Sequence, residues 1–124
     1  MLQASYKGVV LFTGATDWAD VGRKGSANLG RSPNTLWKPA RLAAFKDLDV
    51  ASVHSGPNSC HSVAVTAEGA VYTWGRNEKG QLGLGDQKDR RCPTKVTGGG
   101  IDGKKVVSAA TGRNHTLFLT GERH

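Results

Sequence analysis

The segment whose spacing is closest to a known chemical motif is GGGIDGK at residues 98–104. Gly98, Gly103 and Lys104 have the spacing of a phosphate-binding loop, in which backbone amides and a lysine hold the phosphates. Such a loop needs a Ser or Thr after the lysine and a helix behind it. Lys105 follows instead, and the next residues, VVSAA, have the composition of a strand. The sequence therefore favours a turn at residues 98–104. A nucleotide-binding enzyme is the least favoured of three functional alternatives.

Two other patterns fall short of a catalytic motif. GLGDQK at residues 83–88 lacks the last glycine of a dinucleotide fingerprint, because Lys88 stands in its place, and it follows a polar loop rather than a strand. Ser62 and Ser108 are not surrounded by the GxSxG pattern of a nucleophile elbow. We therefore predict no catalytic residue and no cofactor.

Histidine and cysteine could supply a base or a metal site. His61 and His115 each stand directly before a strand-like run, and Cys60 adjoins His61. Zinc requires four ligands, or three and a water, and Cys92 is remote in sequence, so no metal site is expected. A ligand or a general base is one interpretation of the histidines. A repeated structural contact, such as an imidazole bonded to a turn, is the favoured one.

Composition and charge describe a small basic chain. It has 124 residues, enough for one domain or less, with a formal net charge of +7 and a pI of about 9.8. Basic residues are densest around Lys88, Arg90 and Arg91, interleaved with Asp86 and Asp89, which indicates either a solvated face or contact with an acidic partner. The two cysteines suit an intracellular, reducing compartment. No apolar run approaches the ~20 residues of a membrane helix.

The chain repeats itself. Residues 39–66 align with residues 93–120 at an offset of 54. Upstream, NLG at 28–30 matches QLG at 81–83, and VLFTG at 10–14 matches VYTWG at 71–75. The aligned pairs at the offset of 54 are Pro39 with Pro93, Leu42 with Val96, Val53 with Val107, His61 with His115, and Thr66 with Thr120.

A unit of this length is near that of a four-stranded propeller blade. We therefore divide the chain into an incomplete first blade with an irregular insertion at 1–38, one full repeat at 39–92, and a truncated repeat at 93–124. Short alternating runs such as HSVAVT predict strands. RLAAFKDL at 41–48 has helical spacing, but its equivalent contains four glycines, so strand plus loop is predicted there.

The stretch WGRNEKGQLGLGD at residues 74–86 is interpreted as architectural. Tyr72 and Trp74 share one face of a strand and are expected to pack against a neighbouring sheet. The glycines are expected to form tight turns, with the Asp86 carboxylate capping one of them. The predicted structural residues of this stretch are Trp74, Gly75, Gly80, Gln81, Leu82, Gly83, Gly85 and Asp86.

These residues resemble the repeat of the regulator of chromosome condensation family. The run from Trp74 to Asp86 fits its W-G-x-N-x-x-G-Q-L-G-x-G-D motif, and residues 51–120 resemble the family well. The segment LFTGATDWADVGRKG is similar to the mitotic, telophase-disk branch. The resemblance implies a seven-bladed β-propeller that acts as a guanine-nucleotide exchange factor or scaffold for small GTPases. The same resemblance implies Rac- or Arf-type GTPases as partners. It implies a location in the nucleus, at centromeres or at the spindle midzone, with the cytoplasm as the alternative location.

The fold class predicted is all-β, a partial propeller of about two blades. Because the resemblance calls for seven blades, we expect a fragment, a short isoform or a truncated gene product, marginally stable alone, with weak or absent exchange activity. Chromatin- or microtubule-associated proteins are further expected partners. A basic module that binds chromatin or nucleic acid is the alternative. The candidate binding residues, all expected in loops on one rim, are Arg76 and Lys79 in the glycine-rich stretch and Arg90, Arg91 and Arg113 elsewhere.

Overall fold

The computed structural model describes residues 8–14, 36–45 and 47–121. Much of the predicted first unit, 1–38, lies outside them. The described residues form antiparallel strands and two short 3-10 helices, without an α-helix. The elements are β1 Leu11–Gly14, β2 Leu36–Arg41, a 3-10 helix Ala43–Phe45, β3 Val50–His54, β4 His61–Thr66, β5 Val71–Gly75, β6 Arg90–Lys95, a 3-10 helix Gly99–Ile101, β7 Lys105–Thr111 and β8 Thr116–Gly121.

The central element is a four-stranded sheet in the order β3-β4-β5-β6, which we call the central blade. Its two middle strands are buried on both faces because sheets lie on either side of them. A tight turn joins β4 to β5. Thr66 closes it twice, since its amide donates to the Ala70 carbonyl at 2.9 Å and its hydroxyl accepts from the Ala70 amide at 3.0 Å.

The sheet before the central blade repeats the blade's second half. β1 pairs with β2 through Leu11↔Arg41 and, after a bulge, Gly14↔Leu36. In the central blade β5 pairs with β6 through Tyr72↔Lys95 and, after a bulge, Gly75↔Arg90. β1 aligns with β5 at an offset of 61 residues, and β2 aligns with β6 at an offset of 54. With these offsets each pair in the first sheet corresponds to a pair in the second, so the two sheets have the same register.

The sheet after the central blade repeats its first half. β7 pairs with β8 through Val106↔Thr120, as β3 pairs with β4 through Val50↔Thr66, and a bulge follows in both. The described chain is therefore half a blade, a whole blade and half a blade, which is the arrangement of a partial β-propeller.

Strand register corrects one part of the repeat alignment. Sequence comparison aligned Val53 with Val107, but the pairing places Val53 opposite Ala64 and Ala109 opposite Phe118. Because Ala64 and Phe118 are equivalent at the offset of 54, Val53 corresponds to Ala109. The two-residue difference in the loop between β3 and β4 shifts the whole preceding strand.

Two apolar clusters hold the three sheets together. One joins the central blade to β7–β8 through Val63, Val65, Val71, Val96, Val106 and Ala109. The other joins the central blade to β1–β2 and the first 3-10 helix through Phe45, Val50, Ala64 and Trp74. Phe45 meets the Trp74 ring edge-on at 5.8 Å between centroids, so the predicted packing of the Tyr72–Trp74 face is observed.

Two local predictions change in the structure. The segment 41–48, expected to be strand plus loop, ends β2 at Arg41 and then forms the 3-10 helix Ala43–Phe45, which buries Phe45. Arg90 and Arg91, expected in a loop, begin β6, because Arg90 pairs with Gly75. Within the ranges that the structure describes, no helix has the length and apolar character to cross a membrane.

Candidate functional site

Three loops meet at one edge of the sheets and enclose a cleft of about 780 Å³. The loops join β3 to β4, β5 to β6, and β7 to β8, so two consecutive blades contribute to the cleft walls. Each loop leaves its sheet at the same end because the strands alternate in direction. The lining residues are Pro57, Asn58, Ser59, Cys60, Arg76, Glu78, Lys79, Thr111, Gly112, Arg113 and Asn114.

Three cations line this cleft. Arg76 and Lys79 come from the central blade, and Arg113 comes from the next one. The Arg76 side chain is mostly buried, 12% exposed, and its Nη1 lies 3.7 Å from the Glu78 carboxylate. Lys79 and Arg113 are exposed. Glu78 is the one acidic residue in the cleft lining, so the cleft suits anionic groups.

The other two candidate cations lie outside the cleft lining. Arg90 is held at the start of β6, where Nη2 donates to the Asp86 carboxylate at 2.7 Å and Nη1 donates to the Lys88 carbonyl at 2.8 Å. Arg91 is exposed on β6. The five predicted binding residues therefore separate into a cleft group of three and a strand group of two.

A buried amide shapes the long loop between β5 and β6. Asn77 is completely buried, and its Nδ2 donates to the Asp86 carbonyl at 3.1 Å, the Asp86 carboxylate at 2.9 Å and the Lys88 carbonyl at 3.0 Å. Its Oδ1 accepts from the Leu82 amide at 3.0 Å. The Asn77 amide itself donates to the Asp89 carboxylate at 2.8 Å. The Asn77 side chain thus fixes the loop at Leu82, Asp86 and Lys88, and its backbone amide fixes the Asp89 side chain.

The glycines of residues 74–86 allow the close approaches and tight turns of the loop between β5 and β6. Gly75 has φ of 116°, and a Cβ there would lie 2.5 Å from the Cys60 carbonyl oxygen, so only glycine fits beside β4. Asp86 accepts from the Lys88 amide at 3.1 Å, a turn of the predicted kind. The Arg90 hydrogen bond, followed by that of the Lys88 amide, lowers the pKa of Asp86. The remaining turn glycines, all with positive φ, are Gly80 (75°), Gly83 (71°) and Gly85 (83°).

The glutamine and leucine of the motif tie the loop to the sheets. Leu82 is completely buried, and its carbonyl accepts from the Thr73 hydroxyl at 2.9 Å. Gln81 is also buried, and its side-chain oxygen accepts from the Lys79 amide at 2.8 Å. The Gln81 carbonyl accepts from the Thr116 hydroxyl of the next blade at 2.6 Å. The loop that carries Arg76 and Lys79 is therefore anchored to both blades.

The two repeated histidines differ in environment. His61 is 2% exposed, and its Nε2 lies 2.7 Å from the Thr116 hydroxyl. Burial lowers the pKa of His61, as does the charge of His115, while a hydrogen bond with the His115 backbone raises it in part. His115 is exposed, and its ring lies over Gly112 at the cleft. His61 therefore contacts Thr116 of the next blade through its imidazole ring.

The phosphate-loop spacing at 98–104 forms a turn. The Gly98 amide donates to the Asp102 carboxylate at 2.8 Å, and β7 follows at Lys105. A carboxylate therefore takes one of the amides that a phosphate would need. Across 8–14, 36–45 and 47–121 there is no group of three His, Cys, Asp or Glu side chains that could hold a metal ion.

Sequence reasoning did not select Asn77 or Thr116. Asn77 was visible as the fixed asparagine of the repeat motif, and that was the available signal for its role. Thr116 follows His115 in the second copy, where Ser62 follows His61 in the first, so a hydroxyl recurs after each histidine. Its contact with His61 depends on how the blades sit together, which a linear pattern does not state.

Comparison with known proteins gives matches to one repeat family. The model of the "Regulator of chromosome condensation (RCC1) repeat" matches residues 68–119, which cover β5 to β8. The chain is 45% identical to the RCC2 homolog of Danio rerio and 44% identical to RCC2 of Homo sapiens, over 92% of its own length. It spans 23% and 22% of those relatives.

Solved structures agree on the fold. Prp20p from Saccharomyces cerevisiae superposes on 97% of the chain with a TM-score of 0.74 and 23% identity, and the chain covers 28% of it. Human WBSCR16 superposes on 76% of the chain with a TM-score of 0.57 and 26% identity, and the chain covers 25% of it. The sheets, the repeat motif and these matches agree: the chain is an RCC1-repeat protein, similar to RCC2 along most of its length.

Proposed function

We propose that this chain is a protein-interaction module that binds an acidic surface of a small GTPase through the rim cleft. The observation that carries the proposal is the meeting of Arg76, Lys79 and Arg113 from two blades on one cleft. An acidic partner would contact all three at once, because Asn77 and Gln81 fix the loop that presents Arg76 and Lys79, and Thr116, at the end of the Arg113 loop, donates to the Gln81 carbonyl. The likeness to RCC2 supports the choice of partner class.

The action of such a module is binding, without bond chemistry. A protein that binds the nucleotide-free GTPase more tightly than the loaded form speeds nucleotide release, and nucleotide weakens the complex to the same extent. Exchange activity, Rac- or Arf-type partners and a mitotic role at chromosomes or the spindle belong to this proposal. The nucleus is the compartment proposed. The activity, the partner type, the mitotic role and the compartment all rest on the family resemblance of the sequence.

The test is binding to nucleotide-free and loaded GTPases, measured by biolayer interferometry, together with release of a fluorescent guanine nucleotide. The single variants Lys79→Glu and Arg113→Glu should each weaken binding by at least about tenfold, because each reverses one exposed charge at the cleft. Arg91→Glu is the matched control, since it reverses an exposed charge outside the cleft lining. Equal loss in the control and in the cleft variants would contradict a role for the cleft.

A second candidate is chromatin or nucleic-acid contact, which the net charge of +7 favours. Prp20p, one of the proteins with a similar fold, binds Gsp1p and histones. Backbone-phosphate binding would weaken steeply with salt and would respond about equally to Arg91→Glu and to the cleft variants. Titration of duplex DNA at two salt concentrations separates this candidate from the first, which requires the cleft.

A further inference from the structure

The charge of the cleft is mixed, and its carboxylate is accessible. Glu78 has 49% of its side chain exposed, and it is the one acidic residue among the described residues that line the cleft. Its carboxylate lies 3.7 Å from Nη1 of Arg76, the least exposed of the three cations. A ligand that reaches the Arg76 guanidinium must therefore also approach the Glu78 carboxylate.

A turn holds the backbone of Glu78 at the cleft. The Gly80 amide donates to the Asn77 carbonyl at 3.1 Å, which closes a turn with Glu78 and Lys79 at its centre. The Asn77 side chain is buried and hydrogen-bonded to the rest of the loop. The Lys79 amide, on the other side of Glu78, donates to the Gln81 side chain at 2.8 Å. Side-chain rotation is therefore the main freedom left to Glu78, and its charge stays at the cleft.

Glu78 acts differently on the two kinds of ligand that a basic cleft attracts. Every charged group of a nucleic acid or of an inorganic polyphosphate is negative, so each one that nears Arg76 is repelled by Glu78. Over the short distance between these two side chains, that repulsion offsets much of the attraction of one cation. A protein surface, in contrast, can place a Lys or Arg beside its acidic residues and pair it with Glu78. A carboxylate within a basic cleft therefore selects between the two classes of ligand.

We propose that Glu78 is the specificity-determining residue of the cleft. It excludes ligands whose charge is all phosphate, and it selects a protein surface on which a basic side chain lies next to the acidic groups. The acidic groups of that surface would contact Lys79 and Arg113, and the basic one would pair with the Glu78 carboxylate. The inference rests on the proposed function, since it gives the charge pattern of the GTPase surface that the cleft binds.

Glu78→Gln tests this inference, because it removes the charge and keeps the size of the side chain. The ion pair that it breaks involves a half-exposed carboxylate, so the variant should keep the urea-unfolding midpoint of the parent. Glu68→Gln is the matched control, since it makes the same change of net charge at an exposed position in the β4–β5 turn. That turn and the cleft loop lie at opposite ends of β5, roughly 14 Å apart, which exceeds the screening length of about 8 Å at physiological ionic strength.

The first measurement uses inorganic pyrophosphate, a ligand whose charge is all phosphate. The isotope-labelled chain is titrated by NMR at physiological ionic strength, and binding is followed through the side-chain amide signals of Asn58 and Asn114, which line the cleft. Glu78→Gln should lower the dissociation constant at least about threefold, because one repulsive charge is removed. Glu68→Gln should change it by less than about 1.5-fold.

The second measurement is biolayer interferometry with nucleotide-free Rac- and Arf-type GTPases. Here Glu78→Gln should raise the dissociation constant at least about threefold, since the basic group of the partner loses its carboxylate. Glu68→Gln should leave this binding unchanged as well. The expected result is thus a pair of opposite shifts, tighter for pyrophosphate and weaker for the GTPase, in one variant and not in its control.

Two results would overturn the inference. Tighter binding of both ligands by Glu78→Gln would show that Glu78 merely repels anions, and no change for either ligand would show that its charge does not reach them. Failure of the proposed function is distinguishable from both. A parent chain that binds none of these GTPases contradicts the proposed function itself. GTPase binding that Lys79→Glu and Arg113→Glu weaken, and that Glu78→Gln leaves unchanged, contradicts the inference alone.

Discussion

The imidazole Nε2 of His61 lies 2.7 Å from the hydroxyl oxygen of Thr116 on the next blade. That hydroxyl donates its proton to the Gln81 carbonyl at 2.6 Å. Because a threonine hydroxyl has one proton, the imidazole must donate from Nε2, which fixes the tautomer of neutral His61. Nδ1 is buried and has no hydrogen-bond partner among the described residues. A second proton, on Nδ1, would be buried without a partner among the described residues, so the junction favours the neutral imidazole.

Stability should depend on pH through His61. Burial, followed by the charge of His115, lowers its pKa in the folded protein, whereas the unfolded chain has a value of about 6.5. The unfolded state therefore binds more protons as the pH falls. The free energy of unfolding should be greatest above about pH 7 and should decrease below about pH 6.5. Urea-unfolding midpoints measured across this range check the direction.

The variant His61→Gln isolates this effect, since glutamine can still donate to Thr116 but does not titrate. It should flatten the pH dependence between about pH 7 and pH 5. His115→Gln removes the smaller of the two lowering causes and should leave most of the slope. A slope that His61→Gln leaves intact would assign the titration to another group.

Loss of the Asn77 side chain should destabilise the β5–β6 loop. Asn77→Ala removes the donors to Asp86 and Lys88 and leaves the Leu82 amide buried without an acceptor. We expect a loss of about 2–4 kcal/mol in the free energy of unfolding, measured by urea titration. Asn114→Ala, at an exposed position, should change it by no more than about 0.5 kcal/mol. Equal effects would contradict the role of the buried amide.

Two glycines with positive φ should respond differently to alanine. At Gly75 an added Cβ would lie 2.5 Å from the Cys60 carbonyl oxygen, whereas at Gly80 nothing lies within 4 Å. Gly80→Ala should cost about 1 kcal/mol, from backbone strain alone. Gly75→Ala should cost at least about 3 kcal/mol, because the clash with β4 adds to the strain. Thermal melts of the two variants give the comparison, and similar melting temperatures would refute it.

Asp86 should matter more than its ion-pair partner. The Asp86–Arg90 pair is partly exposed, with side chains 34% and 26% accessible, so Arg90→Ala should lower the unfolding midpoint only slightly. Asp86→Ala also removes the carboxylate that accepts from Asn77 and from the Lys88 amide. Its unfolding midpoint in urea should fall further than that of Arg90→Ala. The reverse order would show that the ion pair, and not the amide network, holds the loop.

Much of the fold follows from local pattern, because strands and turns are encoded within a few residues. The offsets of 61 and 54 that align VLFTG with VYTWG and Pro39 with Pro93 also give the matched registers of β1–β2 and β5–β6. The equivalence of Val53 and Ala109 was missed, since a two-residue loop difference shifts a strand without altering its apolar character.

The candidate site was less predictable. Arg76, Lys79 and Arg113 were selected as loop cations, but their meeting depends on the angle between two blades. Arg90 and Arg91 have the same chemistry and lie on β6. Charge and loop position therefore identify candidates, and tertiary packing decides which of them share a surface.

One wall of the cleft belongs to the central blade and the other to β7–β8. Binding of a partner in the cleft is therefore coupled to the contact between these two sheets. A partner that touches both Lys79 and Arg113 binds only while the blades are docked, so its binding must also stabilise the His61–Thr116 junction. The linkage is reciprocal: whatever loosens the junction, including protonation of His61, must weaken the partner by the same free energy. An acidified solution would thereby weaken a bound partner through His61, a group that lies outside the cleft lining.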